Sequence, residues 1–523
     1  GDHAYVLGPG RFNEEAFRTL DLAIDVAGKK GVRLIIPLVD NWKWHGGRGE
    51  YAAFRGKQPD DFWTDEQLIA DFEQTVRHVL TRVNTRTGVA YRDDPAILGW
   101  ETGNELDSPP AWTRRIAALV KQLDPNHLVI DGNSLHGVPV HSLHDPNIDV
   151  ITTHHYPDAS RSSFVPAILA ARRQAAGKKP YFVGEFGFTT ADEIARVYDA
   201  VIQHGVSGAL LWSLRYHHRD GGFYWHSEPS GGRLYKAYHW PGFSSGEAYE
   251  ERRVMALTRA KAFEIRGLAP PPLAPPAAPV LLPIDDVAAI SWQGSAGATD
   301  YLVERAEDAG GPWRVVADGV DDAAVQYRPL FNDASAQPGR NYYYRVAARN
   351  GAGVSAPSNV VGPIAVASYA LVDQCRDLSK LAAYDGAVEP VRGDARQRRE
   401  DEHRLALAAG ASITYEASEP IDGWTAVVFR GDGAPEAAAA YSTDGRRFQP
   451  VRLAQRSSGR DGQDYGYLEQ VQLSDERPPA GARYLRITAA PREDSQTPSP
   501  PLEVSWIEIS YGDGGARPKR KGG

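Results

Sequence analysis

Residues 97–105 read "ILGWETGNE", an apolar strand pattern that runs without a break into an amide and an acid, Asn104 and Glu105. Burying either side chain without a hydrogen-bond partner is costly, so a plain core strand has no reason to end this way. The stretch therefore predicts a strand whose end carries function.

Five more apolar runs have strand character and alternate with helical patterns. The runs cover residues 32–39, 127–132, 149–156, 181–186 and 208–214, and helix candidates between them include 66–84 and 111–123. Apolar strands separated by helices indicate parallel strands that are covered on both faces. An open doubly wound sheet and a closed barrel both fit this alternation.

The residues that follow these strands favour the barrel. Several different strands end in an amide, carboxylate, imidazole, phenol or indole, carried by Asn41, Trp42, Asn104, Glu105, His154, Tyr156, Glu185 and Trp212. In a TIM-type (β/α)8 barrel the catalytic groups come from the C-terminal ends of several strands. We therefore predict an α/β barrel of this type over residues 1–267.

Two of these strand ends carry glutamates, Glu105 and Glu185, with aromatic residues at the neighbouring ends. Paired carboxylates in an aromatic cleft suit glycoside hydrolysis, in which one acid protonates the leaving oxygen and the other is nucleophile or base. Either glutamate alone would indicate a capping or salt-bridge residue. Because no His, Cys and Asp residues stand at metal-ligand spacing, we expect neither a metal nor another cofactor.

The motifs around both glutamates resemble a known family. The stretches "WETGNE" (100–105) and "VGEFG" (183–187) are similar to the acid/base and nucleophile strands of glycoside hydrolase family 5. The resemblance covers roughly residues 10–215 and is most specific in "TRVNTRTGVAYRDDPAILGWE" (81–101), which is similar to the endo-β-1,4-mannanases of that family.

This resemblance implies a retaining, endo-acting, cofactor-free hydrolase of β-1,4-linked polysaccharide, with β-mannan as the favoured substrate. It implies that Glu105 is the acid/base and Glu185 the nucleophile. Asn104 would hold the sugar 2-hydroxyl, His154 and Tyr156 would line the cleft, Trp212 would be the sugar platform, and Asn41 and Trp42 are further substrate-binding candidates. Glu105 should have a higher pKa than Glu185, which hydrogen-bond donors should keep ionised.

Two features depart from the family pattern. Leu106 and Asp107 stand where such mannanases usually have proline and arginine, so a β-glucanase or cellulase-like specificity stays open. The first two βα units, with an arginine that supports the nucleophile, have no counterpart, so we expect an N-terminally incomplete barrel. A catalytically impaired glycan-binding protein is the alternative from a different class.

The second half of the chain has all-β character. A Pro-rich linker at 268–279 precedes residues 280–365, which resemble a fibronectin type III domain, and residues 366–512, which resemble a galactose-binding-like or discoidin-like β-sandwich. Proline-rich segments are stiff and extended, so the linker is expected to separate domains. Residues 513–523 form a basic tail that we expect to be disordered.

Composition excludes several classes of protein. The 523 residues carry a net charge of -9, which argues against a nucleic-acid partner or an anionic membrane surface. The single cysteine, Cys375, excludes an internal disulfide. The sequence contains no run of 18 apolar residues, so it predicts no membrane span. The first residues carry no secretion-signal pattern. We expect a secreted, extracellular or periplasmic monomer whose partner is its polysaccharide substrate.

Overall fold

The computed structural model describes residues 3–43, 46–157, 163–226, 228, 237–242, 250–457, 466–475, 477–491 and 499–512. The predicted basic tail, 513–523, lies outside these residues. The chain divides into two compact units, Gly1–Ser213 and Leu214–Gly523. This division falls before the Pro-rich linker, whereas the sequence predicts a domain end at residue 267.

Six parallel strands organise the first unit, and they coincide with the six predicted runs. A short antiparallel hairpin, β1 (Val6–Gly8) and β2 (Arg11–Phe12), precedes them. The parallel strands are β3 (Leu34–Pro37), β4 (Ile97–Glu101), β5 (Leu128–Ile130), β6 (Ile151–His155), β7 (Tyr181–Phe186) and β8 (Ala209–Leu211). They pair as β3-β4-β5 and β6-β7-β8, and a parallel bridge between Ile130 and Val150 lies between the two sets.

One helix precedes the parallel strands, and helices lie between most of the successive strands but not between β5 and β6. The helices are α1 (Glu14–Lys30), α2 (Arg48–Ala53), α3 (Glu66–Thr81), α4 (Pro110–Leu123), α5 (Val165–Ala175) and α6 (Ala191–Gln203), with 3-10 turns at Pro59–Trp63 and Tyr91–Asp93. The side chain of Asp65 accepts hydrogen bonds from the backbone of Gln67 and Leu68, which fixes the start of α3. The two helices predicted at 66–84 and 111–123 are therefore present, and the first ends three residues early.

One buried acid ties α1 to the loop after α3. The Asp21 carboxylate accepts hydrogen bonds from Nε (3.0 Å) and Nη2 (2.9 Å) of Arg82, from the Tyr91 hydroxyl (2.5 Å) and from the Thr85 hydroxyl (2.7 Å). The amide of Asn84 also donates to the Asp21 backbone carbonyl at 3.0 Å. The stretch 81–101 therefore packs against α1 through polar contacts that position β4.

Strand β4 ends earlier than the sequence predicts. The chain leaves the ladder after Glu101, and the Asn104 backbone N–H donates to Val39 O at 2.7 Å. A Cβ on Gly103 would lie 2.6 Å from Val39 O, and one on Gly132 would lie 1.9 Å from Gly103 O. These close backbone approaches need glycine, and they place Glu105 in a loop rather than on the strand.

The second unit is mostly antiparallel sheet. It begins with the parallel pair β9 (Leu214–Arg215) and β10 (Tyr238–His239), followed by helix α7 (Glu251–Glu264). Residues 268–279 lie in neither helix nor strand and are mostly exposed, in agreement with a linker segment.

The strands between 280 and 365 share one hydrophobic core that includes Trp292 and Tyr344. They are β11 (Val280–Leu281), β12 (Trp292–Gln293), β13 (Asp300–Ala306), β14 (Arg314–Val320), β15 (Asn341–Asn350), β16 (Gly353–Val354) and β17 (Val361–Ala365). Strand β15 is central, because it pairs with β13, β16 and β17.

The strands after residue 366 form two sheets that share a second core. The first sheet contains β18 (Tyr369–Asp373), β20 (Val388–Arg392), β21 (His403–Leu407), β23 (Ile421–Arg430), β26 (Ala454–Ser457), β27 (Glu469–Asp475) and β29 (Leu502–Tyr511). The second contains β19 (Ala383–Asp385), β22 (Ser412–Glu416), β24 (Glu436–Ser442), β25 (Gln449–Val451) and β28 (Tyr484–Ala490), and a 3-10 turn lies at Arg396–Arg398. Buried residues from both sheets, among them Ile413, Val428 and Ile507, belong to the same core.

Within the described part of the chain, no helix has the length and apolar character needed to cross a membrane.

Candidate active site

Glu105 and Glu185 lie on either side of His154. The His154 Nδ1 atom is 2.9 Å from Glu105 Oε1 and 3.4 Å from Glu185 Oε2. One oxygen of each glutamate and one His154 ring nitrogen all lie within 4.8 Å of one another. The two glutamate side chains keep 12% and 17% of their surface exposed. The two carboxylates are therefore close enough to act on the same bond and open enough to meet a ligand.

Strand register and one glycine bring these groups together. His154 on β6 is in register with Glu185 on β7. A Cβ on Gly184 would lie 2.2 Å from Thr152 Oγ1 and 2.9 Å from His154 Nε2. The first glycine of "VGEFG", Gly184, therefore leaves the space that His154 occupies beside Glu185.

Each acid has a separate aromatic hydrogen-bond donor. The Tyr156 hydroxyl donates to Glu185 Oε2 at 2.6 Å, and its ring stacks on Phe188 with ring centroids 5.2 Å apart. The Trp42 indole Nε1–H donates to Glu105 Oε2 at 2.7 Å, although Trp42 itself is 43% exposed. Glu105 has a φ of 51°, a left-handed conformation that is unusual for a residue other than glycine. Such local strain is common at functional sites.

The predicted amides, Asn104 and Asn41, lie beside Glu105. The Asn104 side chain donates to Asp40 Oδ1 at 3.2 Å, and the Asn104 carbonyl accepts a hydrogen bond from the Asn41 backbone at 3.0 Å. The Asn41 side-chain oxygen accepts from Arg48 Nε at 2.7 Å. Asn104 is therefore held in place by a buried acid, while the side-chain oxygen of Asn41 is engaged by an arginine.

A cavity of about 600 Å³ joins these residues, a size within the usual range for ligand sites. Its lining includes Asn104, His154, Glu185 and Trp212 from the predicted set. The Trp212 side chain is half-buried at the end of β8. Hydrogen bonds link Trp42, Glu105 and Tyr156 to this group, and the backbone links Asn41. All eight predicted residues therefore lie in one region.

Burial dominates the electrostatics of Glu185. Burial and the nearby charges of Glu105 and Asp40 raise the pKa of Glu185, whereas the charge of His154 and the Tyr156 hydrogen bond lower it, and the net pKa is about 7. This result corrects the expectation that hydrogen-bond donors keep Glu185 fully ionised near neutral pH. The donors are present, but they do not offset the loss of hydration.

Two acids of the site were not predicted as site residues. Asp40 is buried, lines the cavity and holds the Asn104 amide. Glu101 is buried and lines the same cavity; burial, followed by the charge of Glu185, raises the pKa of Glu101 well above its ordinary value. The sequence contained a hint of both acids, because Asp40 directly follows the apolar run 32–39 and Glu101 ends the apolar stretch of β4. Their roles depend on neighbours from other strands, which the sequence pattern does not identify.

The same geometry offers a potential metal site. Among the described residues, Glu105, His154 and Glu185 form the group with the donor types and spacing that a divalent ion needs. No metal-ligand spacing is visible in the sequence, because folding brings these three residues together from three separate segments. The arrangement can therefore hold a cation or can perform acid–base and nucleophilic chemistry through the same oxygens.

Part of the first unit matches a known family model. The family model described as "GH family 5 beta-mannosidase-like" matches residues 2–160. The mannan endo-1,4-beta-mannosidase 1 of Oryza sativa subsp. japonica is 31% identical in an alignment of 274 positions that covers 41% of this chain and 63% of the rice protein.

Two further relatives have related names. The mannan endo-1,4-beta-mannosidase 7 of Arabidopsis thaliana is 32% identical in an alignment of 273 positions that again covers 41% of this chain and 63% of the relative. The solved endo-1,4-beta-mannanase of Rhizomucor miehei is 29% identical, with a TM-score of 0.35 over 37% of this chain and 67% of that structure. The chain thus spans somewhat less than two thirds of these plant relatives. Over its first unit it is similar to family 5 mannan hydrolases.

Proposed function

We propose that this chain is a retaining, endo-acting glycoside hydrolase that cleaves β-1,4-linked mannan. Glu105 is the acid/base of the proposed reaction and Glu185 is the nucleophile. The names of the relatives that match the first unit support β-mannan as the substrate.

The spacing of the two glutamates carries this proposal. Oxygens of Glu105 and Glu185 lie within 4.8 Å of each other. Retaining glycosidases hold their two carboxyl groups about 5–5.5 Å apart, whereas inverting enzymes need about 6.5–9.5 Å to fit a water. The short separation favours direct attack by one carboxylate.

The first half of the proposed reaction forms a covalent intermediate. A Glu185 oxygen attacks the anomeric carbon as the bond to the leaving oxygen breaks, and Glu105 gives that oxygen its proton. The Trp42 N–H and His154 orient Glu105, and the Tyr156 hydroxyl orients Glu185.

The second half releases the sugar. Glu105, now ionised, takes a proton from water, and the hydroxide oxygen attacks the anomeric carbon and frees Glu185. The Asn104 amide is placed to hydrogen-bond a sugar hydroxyl, and the Trp212 indole offers an apolar face to a pyranose ring. Both steps use side chains of this chain alone.

The test is a hydrolysis panel of β-mannan, galactomannan and swollen cellulose, with early products followed by NMR. The proposal predicts mannan cleavage within the chain and a first product with the β-configuration. Faster cleavage of cellulose would instead favour the β-glucanase alternative, which the departure at Leu106 and Asp107 leaves open. EDTA should leave turnover unchanged, because the proposed steps use the carboxylates without a metal. Loss of activity on EDTA treatment, restored by a divalent ion, would contradict this account.

We further propose that residues 280–365 form a fibronectin type III-like spacer and residues 366–512 a galactose-binding-like sandwich. The shared cores of these strands support two such modules. We also propose that the protein acts outside the cytoplasm, because an intact polysaccharide does not cross a membrane.

A further inference from the structure

A second cavity lies within Leu214–Gly523 and has a volume of about 560 Å³. Its lining comes from three stretches of the chain, near residues 224–226, 326–328 and 398–401, together with strands β23 and β27. Its size falls in the range of small-ligand sites, about 300–1,000 Å³. None of the predicted active-site residues belongs to this cavity.

Aromatic residues form part of its wall, next to charged and amide side chains. The lining includes Tyr224, Tyr327, Phe429 and Tyr467. Tyr327 is 53% exposed, yet its hydroxyl is fixed by two bonds to Trp225: it accepts from the backbone N–H at 3.0 Å and donates to the carbonyl at 2.8 Å. The Tyr327 ring is therefore held in position before any ligand arrives.

A stacked aromatic pair extends this wall toward solvent. Tyr224 stacks on Tyr216 with ring centroids 5.8 Å apart and planes 17° apart, and Tyr216 is 69% exposed. Exposed tyrosine faces next to a cavity are costly to hydrate and suit the apolar C–H face of a pyranose ring.

The charged side chains of the cavity are balanced. Arg328 pairs with Asp401 at 2.5 Å, and Arg398 pairs with Glu503 at 2.6 Å. Arg399 lies over the Tyr467 ring at 5.3 Å, beside the buried Glu400. Because each arginine has an acid or ring nearby, the site favours a ligand that is neutral and rich in hydroxyl groups over an anion.

The backbone of the cavity is held in unusual conformations. Tyr327, Arg399 and Glu400 have φ values of 52°, 52° and 70°, in the left-handed region that favours glycine. Glu105 and Phe188, at the candidate active site, share this property. Such outliers concentrate where function demands a fixed shape.

We propose that this cavity is a glycan-binding site for a neutral, β-linked polysaccharide, separate from the hydrolytic cleft. It would hold the polymer while the first unit cleaves it. The choice of β-mannan as the ligand rests on the proposed function, whereas the site itself rests on the aromatic and charge pattern described above.

Affinity electrophoresis of the full chain tests this site. Glu185→Gln serves as the parent so that the polymer stays intact, and the gels contain β-mannan, galactomannan, soluble cellulose derivative or alginate. Gln470 on β27 also lines the cavity. Tyr467→Ala and Gln470→Ala should each weaken retention by a neutral polymer, the first by about tenfold or more. Tyr384→Ala, an exposed tyrosine outside the cavity, is the matched control and should leave retention unchanged.

The outcomes separate this inference from the proposed function. In an otherwise unchanged enzyme that keeps Glu185, Tyr467→Ala should hydrolyse mannohexaose within twofold of the rate of the unsubstituted enzyme. Retention that depends on Tyr467 and Gln470 without any hydrolysis would support the site and contradict the proposed function. Hydrolysis together with retention that neither substitution weakens would overturn the site. Retention by alginate alone, or by no polymer, would also overturn it. Thermal unfolding of Tyr467→Ala shows whether that variant keeps the fold, and Gln470→Ala tests the site independently of it.

Discussion

Two acids of the first unit, the buried Asp21 and the partly exposed Glu185, have pKa values that are shifted in opposite directions. Burial tends to raise the pKa of Asp21, but hydrogen bonds from Arg82, Tyr91 and Thr85 outweigh it and hold that pKa well below its ordinary range. Burial raises the pKa of Glu185, and His154 and Tyr156 offset only part of this increase, so the pKa is about 7.

The difference lies in the partners. Asp21 receives two N–H bonds from one guanidinium, which suits a permanent ion pair. Glu185 has a phenol at 2.6 Å and an imidazole at 3.4 Å, and it lies in a cavity with Glu101 and near Glu105. An acid that must form and break a covalent bond benefits from incomplete pairing, whereas an acid that fixes two segments benefits from complete pairing. The following predictions test this contrast.

The largest effect should follow removal of either reactive acid. Glu185→Gln and Glu105→Gln should each lower kcat/KM on mannan by about ten-thousandfold, or ~5 kcal/mol, because nucleophile and proton donor act only in the transition state. Circular dichroism should show the parent fold. External azide should restore turnover to a small-residue variant of Glu185 with inversion, and of Glu105 with retention. The opposite pattern would exchange the two roles.

The next largest effect should follow loss of the Asp21 partner. Arg82→Met should lower the free energy of unfolding by about 4 kcal/mol, because it leaves a buried carboxylate without its cation. Arg86→Met is the matched control from the same loop, since Arg86 bonds Asp25 at 3.0 Å but is half exposed. Denaturant unfolding should therefore separate the two variants clearly. If both substitutions had the same small effect on the free energy of unfolding, the structural role given to Asp21 would be contradicted.

A smaller effect concerns stability and pH. Between the ordinary carboxyl pKa of 4.5 and about 7, folded Glu185 keeps a proton that the unfolded chain has released. The free energy of unfolding should therefore fall as pH rises through this window. Glu185→Gln should remove this contribution and be more stable than the parent at pH 8 by on the order of 2 kcal/mol. Thermal unfolding at pH 5 and pH 8 measures it, and an identical pH dependence in both proteins would count against a raised pKa.

The smallest effect concerns the pH–rate profile. Because Glu185 must be ionised to attack, kcat/KM of the free enzyme should fall as pH drops below about 7. Tyr156→Phe removes a bond that favours the ionised form, so the acidic limb should move up by about one pH unit. Tyr181→Phe, on the same strand as Glu185 but with its hydroxyl bonded to Thr153, should leave the limb in place. If the acidic limb moved by the same amount in both variants, the Tyr156 hydrogen bond would not be what favours ionised Glu185.

The sequence predicts the six parallel strands because each is a continuous apolar run bounded by turn residues. It also predicts that Glu105 and Glu185 belong together, because strands of this kind present their carboxyl ends on one side. The end of β4 at Glu101 was not predictable from the pattern, because it depends on the contact between Gly103 and Gly132. The roles of Asp40 and Glu101 and the raised pKa of Glu185 depend on burial by other strands, which a linear pattern does not contain.

The central claim, that Glu185 is the nucleophile of a retaining hydrolase, is tested most directly by trapping the covalent intermediate. A 2-deoxy-2-fluoro-β-mannosyl fluoride slows breakdown of the glycosyl-enzyme, so mass spectrometry of the digested protein can locate the sugar. We predict one sugar per chain, attached to the peptide that contains Glu185, and no labelling in Glu185→Gln. A sugar attached to Glu105, or turnover with inversion and no adduct, would contradict the account.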